Sequence, residues 1–533
     1  MSINDTSVME GNSGMKTATF TVTLSAASTD SVTVQYVTTD GTAMTSEDYD
    51  AVPLTTLTFN PGQVTKTIDV KVRGDKAAEG NETFFVSLSN PTNATLADAQ
   101  GEVTIIDDDA GPEAMGVTIV KYGKAATFTD VDGDKVTVKT SKSTFTQGLF
   151  DVREEGLGFQ LQSLNLTDAG FSGAKLSFGA KPQKLDEFDG KQGAKSVNVG
   201  EIDAFGVSLK AVQVKGDLGR IGAGAGGSAI VRGDGGSGAQ ALGTLSVSSF
   251  GALGLATQDA DGISLSTLSG SLKKLSVKGD MVAGLEIIGG GSLGKATIKG
   301  DLDGSAPATS GIVANGFGLG DQLGFIRASG DIGSVKVGGN VIGGADTTGI
   351  ISGGNIKSLK IGEDLRSANP VRPALISALG EIGAAKQKDA VAIAKVSVGG
   401  SVENARILAS YDIFGFPVTG SNGDASINKI TVKGDVTSAD IVAGVSDATR
   451  DGFGHNDTLI DGGGSADLIA RIAKVTIKGQ ASGSTINTTD HFAITGQEIG
   501  SVKIGKTKID TDGTADLLLD DTNNDLRLVE IAG

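Results

Sequence analysis

Cysteine and tryptophan are absent from this chain of 533 residues, and histidine occurs only 2 times. Without cysteine there are no disulfides, no thiolate metal centres and no cysteine nucleophile, while the compartment stays open on that ground. Tyrosine numbers 4 and phenylalanine 19, too few for the aromatic filling of an ordinary compact enzyme core. A thin stack of Val, Ile, Leu and Ala has no need of them. No apolar run approaches the ~20 residues of a membrane span. No signal-peptide pattern follows Met1, and Ser2-Ile3-Asn4-Asp5 runs directly into Val8-Met9-Glu10-Gly11. The chain is therefore expected to begin inside a strand, with an export signal upstream. His455 and His491 stand in no recognisable catalytic setting, and neither a Gly-x-Ser-x-Gly elbow nor a His-Glu-x-x-His helix occurs. A polysaccharide lyase or hydrolase working with paired acids is the remaining enzyme reading, but the aromatic platforms of a sugar cleft are missing. The expectation is a non-catalytic protein.

What the chain does have is glycine, 80 residues against 9 of proline, and acid. Glycine that punctuates short Val/Ile pairs predicts many short strands joined by tight turns. The formal charge of −18 argues against a nucleic-acid partner and suits either Ca²⁺ ligation or a solvated surface.

Residues 1–109 show period-two alternation at Phe20, Val22 and Leu24, at Val32, Val34 and Tyr36, at Ile68, Val70 and Val72, and at Phe84, Val86 and Leu88. With turn signals at Asp40-Gly41, Asn60-Pro61-Gly62 and Asn90-Pro91, this predicts a sandwich of about seven strands. Its acids gather at predicted strand ends: Glu10, Asp40, Asp48, Asp75, Glu79, Glu82 and the run Asp107-Asp108-Asp109. Sandwich loops collect at two ends, so such acids meet, and their repulsion calls for a cation. Ca²⁺ accepts six to eight oxygens in loose geometry and suits them better than Mg²⁺.

The elements Val8-Met9-Glu10-Gly11-Asn12-Ser13-Gly14, Thr39-Asp40-Gly41-Thr42-Ala43, Glu47-Asp48-Tyr49, Leu57-Thr58-Phe59-Asn60-Pro61-Gly62, Gly80-Asn81-Glu82-Thr83-Phe84 and Ile105-Ile106-Asp107-Asp108-Asp109 together resemble a Calx-beta domain. The resemblance implies an immunoglobulin-like, Ca²⁺-binding β-sandwich, a module also present in sodium/calcium exchangers. It implies Glu10, Asp40, Asp75, Glu79, Glu82, Asp107, Asp108 and Asp109 as ligands. Ala78 stands where family members often carry an acid.

Residues 110–115 read as a linker, 116–195 as a small β-rich cap, 196–508 as repeats and 509–533 as an acidic closing cap. Asp130-Val131-Asp132-Gly133-Asp134 starts like a calcium loop, but its Gly falls early and no Glu closes it, so an Asp-Gly hairpin turn is expected. Leu272-Lys273-Lys274-Leu275-Ser276-Val277-Lys278-Gly279-Asp280 recurs in varied form, with centres at Val212/Val214, Leu245/Val247, Ala296/Ile298, Val335/Val337, Leu359/Ile361, Val396/Val398, Ile430/Val432, Val475/Ile477 and Val502/Ile504. Three short strands per turn, inner columns apolar, predict a parallel β-helix or β-solenoid, with a β-roll or stacked β-prism as the alternative. Lys278, Lys299, Lys433 and Lys478, each followed by Gly, are expected to form an exposed charged column, a solvated face rather than a binding strip. This region resembles the Gly-rich β-strand-repeat regions of large surface or secreted bacterial proteins, which implies an extracellular or cell-surface location. Asp451–Leu459 and Gly462–Leu468 partly resemble a calcium-binding nonapeptide repeat, but a loop insertion explains the broken register better. The reading is an all-β structural or adhesive segment, with cell-surface glycans or neighbouring protein modules as partners.

Overall fold

The computed structural model describes all residues except 12, 46, 76–80, 107–115, 182–194, 225–238, 253–264, 306–323, 345–348, 370–371, 413–418, 448–452, 454–456, 461–467, 484–491, 510, 512–515, 520–525 and 532–533. The chain divides into two units, Met1–Met115 and Gly116–Gly533.

The first unit holds eight described strands: β1 (Ser2–Ile3), β2 (Thr6–Met9), β3 (Gly14–Thr23), β4 (Val32–Asp40), β5 (Thr55–Phe59), β6 (Thr65–Gly74), β7 (Glu82–Thr92) and β8 (Gln100–Ile106). They form a three-stranded sheet β1-β3-β6 and a five-stranded sheet β2-β8-β7-β4-β5. The expected seven become eight because the first stretch divides: β1 pairs antiparallel with β3, while β2 pairs parallel with β8 in the other sheet. The alternating residues point inward as the pattern requires, with Phe20, Val34, Val70, Phe84 and Val103 fully buried between the sheets. Asn90-Pro91 is a bulge and not a turn. It lies inside β7, where Asn90 takes φ +48° and the register against β4 shifts.

In the second unit the chain alternates between two long sheets. Sheet I runs from Thr118–Val120 to Thr507–Ile509, and sheet II from Phe150–Glu155 to Leu526–Glu530. Pairing is antiparallel at the start of each, parallel through the middle, and antiparallel again at the end. A middle repeat contributes one strand to sheet I and two to sheet II, as with Ile332–Val337, Val341–Gly343 and Gly349–Ser352. The apolar pairs noted in the sequence stack in register, Val212 on Leu245, Leu275, Ala296 and Val335, onward to Val475 and Val502, all buried. Each such Val, Leu or Ile contributes roughly 1.5–3 kcal/mol by leaving water.

The Gly-Asp that follows several sheet I strands, with Asn or Ser in place of Asp after others, has a specific cause. Asp280 Oδ1 accepts from the Asp301 backbone N–H at 2.9 Å, Asp301 Oδ1 from Asn340 at 2.6 Å, and Asn340 Oδ1 from Asp364 at 3.0 Å. Asp364 Oδ1 then accepts from Ser401 at 2.7 Å, Ser401 Oγ from Asp435 at 3.1 Å and Asp435 Oδ1 from Gln480 at 2.8 Å. This side-chain ladder threads repeats that differ in length, from 21 residues to 45. It also dictates the preceding glycine: a Cβ on Gly300, Gly339, Gly400 or Gly479 would lie 1.9–2.0 Å from the aspartate oxygen one repeat earlier.

Candidate metal site at one end of the sandwich

Strand directions decide which acids meet. β2 runs parallel to β8, β8 antiparallel to β7, and β7 antiparallel to β4. The last residues of β2, β4 and β8 and the first of β7 therefore share one end. Glu10 follows β2 there, buried to 4% exposure, its N–H donating to Ile106 O at 3.1 Å. Asp107, the next residue after Ile106, lies outside the described residues, as do Glu79, Asp108 and Asp109.

β6 brings Asp75 to the same end. Its last residue, Gly74, presses on the Glu10–Gly11 backbone so closely that a Cβ would stand 1.9 Å from Gly11 O and 2.5 Å from Glu10 O. Asp40 and Glu82 are joined through the loop after β4. Ala43 N–H donates to Thr83 O at 2.9 Å, and Thr83 N–H donates to Thr42 Oγ1 at 2.8 Å. Glu82 is half-buried, and Asp75 and Asp40 are exposed.

Asp40 is held by its own loop. Its Oδ1 accepts from Thr45 N–H at 2.9 Å, Thr45 Oγ1 at 2.6 Å and Tyr49 OH at 2.6 Å. The Thr45 and Tyr49 hydroxyls, in that order, hold its carboxyl below the usual 3.8. Tyr49 is itself fully buried and stacks on Phe84, ring centroids 4.0 Å apart. Patterning in the sequence assigns Thr45 and Tyr49 no role; the hydrogen bonds supply one. Asp48, by contrast, turns its carboxylate onto Met44 N–H at 2.6 Å and caps its own turn.

Residues 2–109 match the family model for the Calx-beta domain. The N-terminal unit is a Calx-beta domain. Among solved structures, the chain is similar to the apo-form Calx CBD1 domain at 28% identity, over 20% of this chain and 91% of that one, with a TM-score of 0.17. It is similar to CBD12 from CALX1.2 at 28% identity, over 21% and 45%, TM-score 0.19. A third, the calcium binding domain CBD12 of CALX1.1, shows 21% identity over 30% and 71%, TM-score 0.18.

The donor set of the Calx-beta tip is all carboxylate oxygen, which fits a hard cation and excludes a thiolate or imidazole site. Among the described residues no three of the tip acids bring oxygens within 4.8 Å of one another. Asp130, Asp132 and Asp134 do, in the second unit. They occupy the expected hairpin loop between Ala125–Thr129 and Lys135–Thr140, where Asp134 N–H donates to Asp130 Oδ1 at 2.8 Å. Burial and then a hydrogen bond with Asp132 push the Asp130 carboxyl up to about 7. Of the nonapeptide-like stretch, Phe453 and Ile460 are buried in a satellite core with Tyr411 and Val445, while Asp451, His455 and residues 461–467 lie outside the described residues.

Proposed function

We propose that this chain is a non-catalytic structural segment whose Calx-beta tip binds Ca²⁺ and whose Gly-rich repeats wind as a β-solenoid. The metal reading is carried by one observation: five strand ends converge with Glu10 buried among them. Glu10, Asp40, Asp75 and Glu82 would hold the ion, joined by Glu79 and Asp107, Asp108 and Asp109 as the family resemblance implies. Bound there, Ca²⁺ supplies the positive charge that offsets carboxylate repulsion. The chain's own contribution is positional. Thr45 and Tyr49 fix one oxygen of Asp40, Thr42 and Ala43 tie its loop to β7, and Gly74 lets β6 close on Glu10.

The solenoid reading is supported by three short strands per repeat, parallel register and continuous buried columns. In this reading residues 116–195 cap one end, 196–508 form the repeats and 509–533 close the other. An extracellular or cell-surface setting, with an adhesive or spacer role, fits the acid-rich composition.

The test is calorimetric calcium titration of the chelator-treated whole chain, alone and as the Glu10→Gln, Asp40→Asn double variant. The expected outcome is roughly micromolar binding that the double variant weakens at least about tenfold. No heat at millimolar calcium would end the calcium reading. Undiminished binding in the variant would move the site off this tip.

A further inference from the structure

The two sheets of the second unit treat charge in opposite ways. In sheet II, residues facing each other across strands pair by opposite sign: Glu201 with Arg220 at 2.8 Å, Glu286 with Arg327 at 3.5 Å, and Asp440 with Arg406 at 3.1 Å. In sheet I, lysine faces lysine. Lys274 lies opposite Lys295, and Lys336 opposite Lys360. Lys395, Lys429 and Lys474 precede the mutually paired Val396, Ile430 and Val475, and so stack over three successive repeats. The only acid within the described strands of sheet I is Glu498, which pairs with Arg471 at 3.0 Å.

Like charges directly opposite on neighbouring strands are destabilising. A chain with 63 acidic against 45 basic residues had the means to alternate signs here, as it does in sheet II. These lysines are exposed, and among the described residues none of the seven enters an ion pair within 4.0 Å. The nearest recurrent acids, Asp280, Asp301, Asp364 and Asp435, sit at the turn edge and direct an oxygen into the backbone ladder. Among the described residues these seven lysines thus form a face of one sign without an ion pair of its own, on a protein of net charge −18.

We propose that the exposed face of sheet I binds a linear acidic polysaccharide along the strand-stacking direction. Parallel strands recur every 4.7–4.9 Å, about the length of one sugar residue, so an extended acidic chain lying along the stack crosses Lys274 and Lys295, then two hydroxyl residues, then Lys395, Lys429 and Lys474. The positions between lysines in the same columns are Ser334, Ser358, Thr431 and Thr476, whose hydroxyls suit a hydroxylated partner. Nucleic acid fits less well. Among the described residues its strands present no exposed aromatic ring for base stacking, and their one arginine, Arg471, is engaged by Glu498. Each lysine contributes little alone, and the affinity comes from many contacts along one polymer.

The experiment immobilises polygalacturonate, neutral dextran and duplex DNA and measures binding of the whole chain at low and high salt. Three variants are compared with the natural chain: Lys395→Gln/Lys429→Gln/Lys474→Gln, the same three as Lys→Arg, and a charge-matched control, Lys16→Gln/Lys66→Gln/Lys71→Gln, in the sandwich. The expected result is binding to polygalacturonate but not dextran, lost at high salt and weakened about tenfold by the sheet I glutamine variant. The arginine variant and the sandwich control should stay close to the natural chain. No binding to polygalacturonate at low salt overturns the proposal, as does equal weakening by the face and control variants. Tighter binding to DNA than to polygalacturonate overturns the choice of partner.

Discussion

The Calx-beta unit and the repeat unit both concentrate like charge, and they do it by opposite routes. In the sandwich, Glu10, Asp40, Asp75 and Glu82 are far apart in sequence and come to one end because strand directions turn their ends to one side. In the repeats, lysines hold equivalent places in successive units and meet because parallel pairing keeps them in step. Topology makes the first cluster, and repetition makes the second. A change at one crossing point should therefore reach several acids in the sandwich, while a change in the repeats should stay with its neighbours.

Two glycines test that contrast with the largest expected effects. Gly74→Ala would place a methyl 1.9 Å from Gly11 O, and Gly399→Ala one 1.8 Å from Gly362 O. Backbone cannot retract as a flexible side chain does, so each should cost about 2–4 kcal/mol in denaturant unfolding. Gly74→Ala should lower hydrogen-exchange protection around Glu10 and Asp40 and weaken calcium binding, leaving the repeat amides unchanged. Gly399→Ala should lower protection in the adjoining repeats and leave calcium binding alone. If either variant stayed within 0.5 kcal/mol of the natural chain, or loosened both units alike, the contrast would fail.

The side-chain ladder gives a smaller, sharper effect. Asp301→Ala removes the acceptor for the Asn340 N–H at 2.6 Å and for Asn340 Nδ2 at 3.2 Å. The expected loss is about 1 kcal/mol, reduced in Asp301→Asn, which keeps a side-chain oxygen. Equal losses in the two variants would mean that the charge of Asp301, and not its hydrogen bond, carries the stability.

How much of this could be read beforehand follows from where the information sits. Period-two alternation located the sandwich strands because each must bury one face, and the recurring Val-x-Val located sheet I for the same reason. The Asn90-Pro91 signal misled, because a bulge uses the same residues as a turn. The splitting of the first stretch between β1 and β2 left no local trace; it depends on pairing with β3 and β8. At the tip, the acids were visible as a class, but the grip of Thr45 and Tyr49 on Asp40 depends on a loop conformation that patterning does not encode. The column of Lys278, Lys299, Lys433 and Lys478 was legible from the recurring Lys-Gly, but the stacking of Lys395, Lys429 and Lys474 was hidden by unequal repeat lengths, which place equivalent residues 21 apart in one repeat and 45 in another.

The finest test concerns Asp40, because the two kinds of cluster differ in how their charges are held. Lys274, Lys295, Lys336, Lys360, Lys395, Lys429 and Lys474 enter no ion pair within 4.0 Å among the described residues, whereas Asp40 is fixed by hydroxyls. Tyr49→Phe deletes one of them while keeping the ring that stacks on Phe84, so the core should survive. A carboxyl whose folded pKa is depressed contributes stability that is present above its unfolded value of 3.8 and is lost as pH falls through the folded pKa. Removing the Tyr49 hydroxyl should move the Asp40 midpoint upward, back toward 3.8, and shrink the share of acid destabilisation that this group causes. Thr45 supplies the larger part of the depression, so the midpoint should rise without reaching the ordinary value. Carboxyl-carbon titration by NMR reads the midpoint directly. An unchanged midpoint would show that Thr45 alone holds the carboxylate, and the tip would then be less firmly built than its hydrogen bonds indicate.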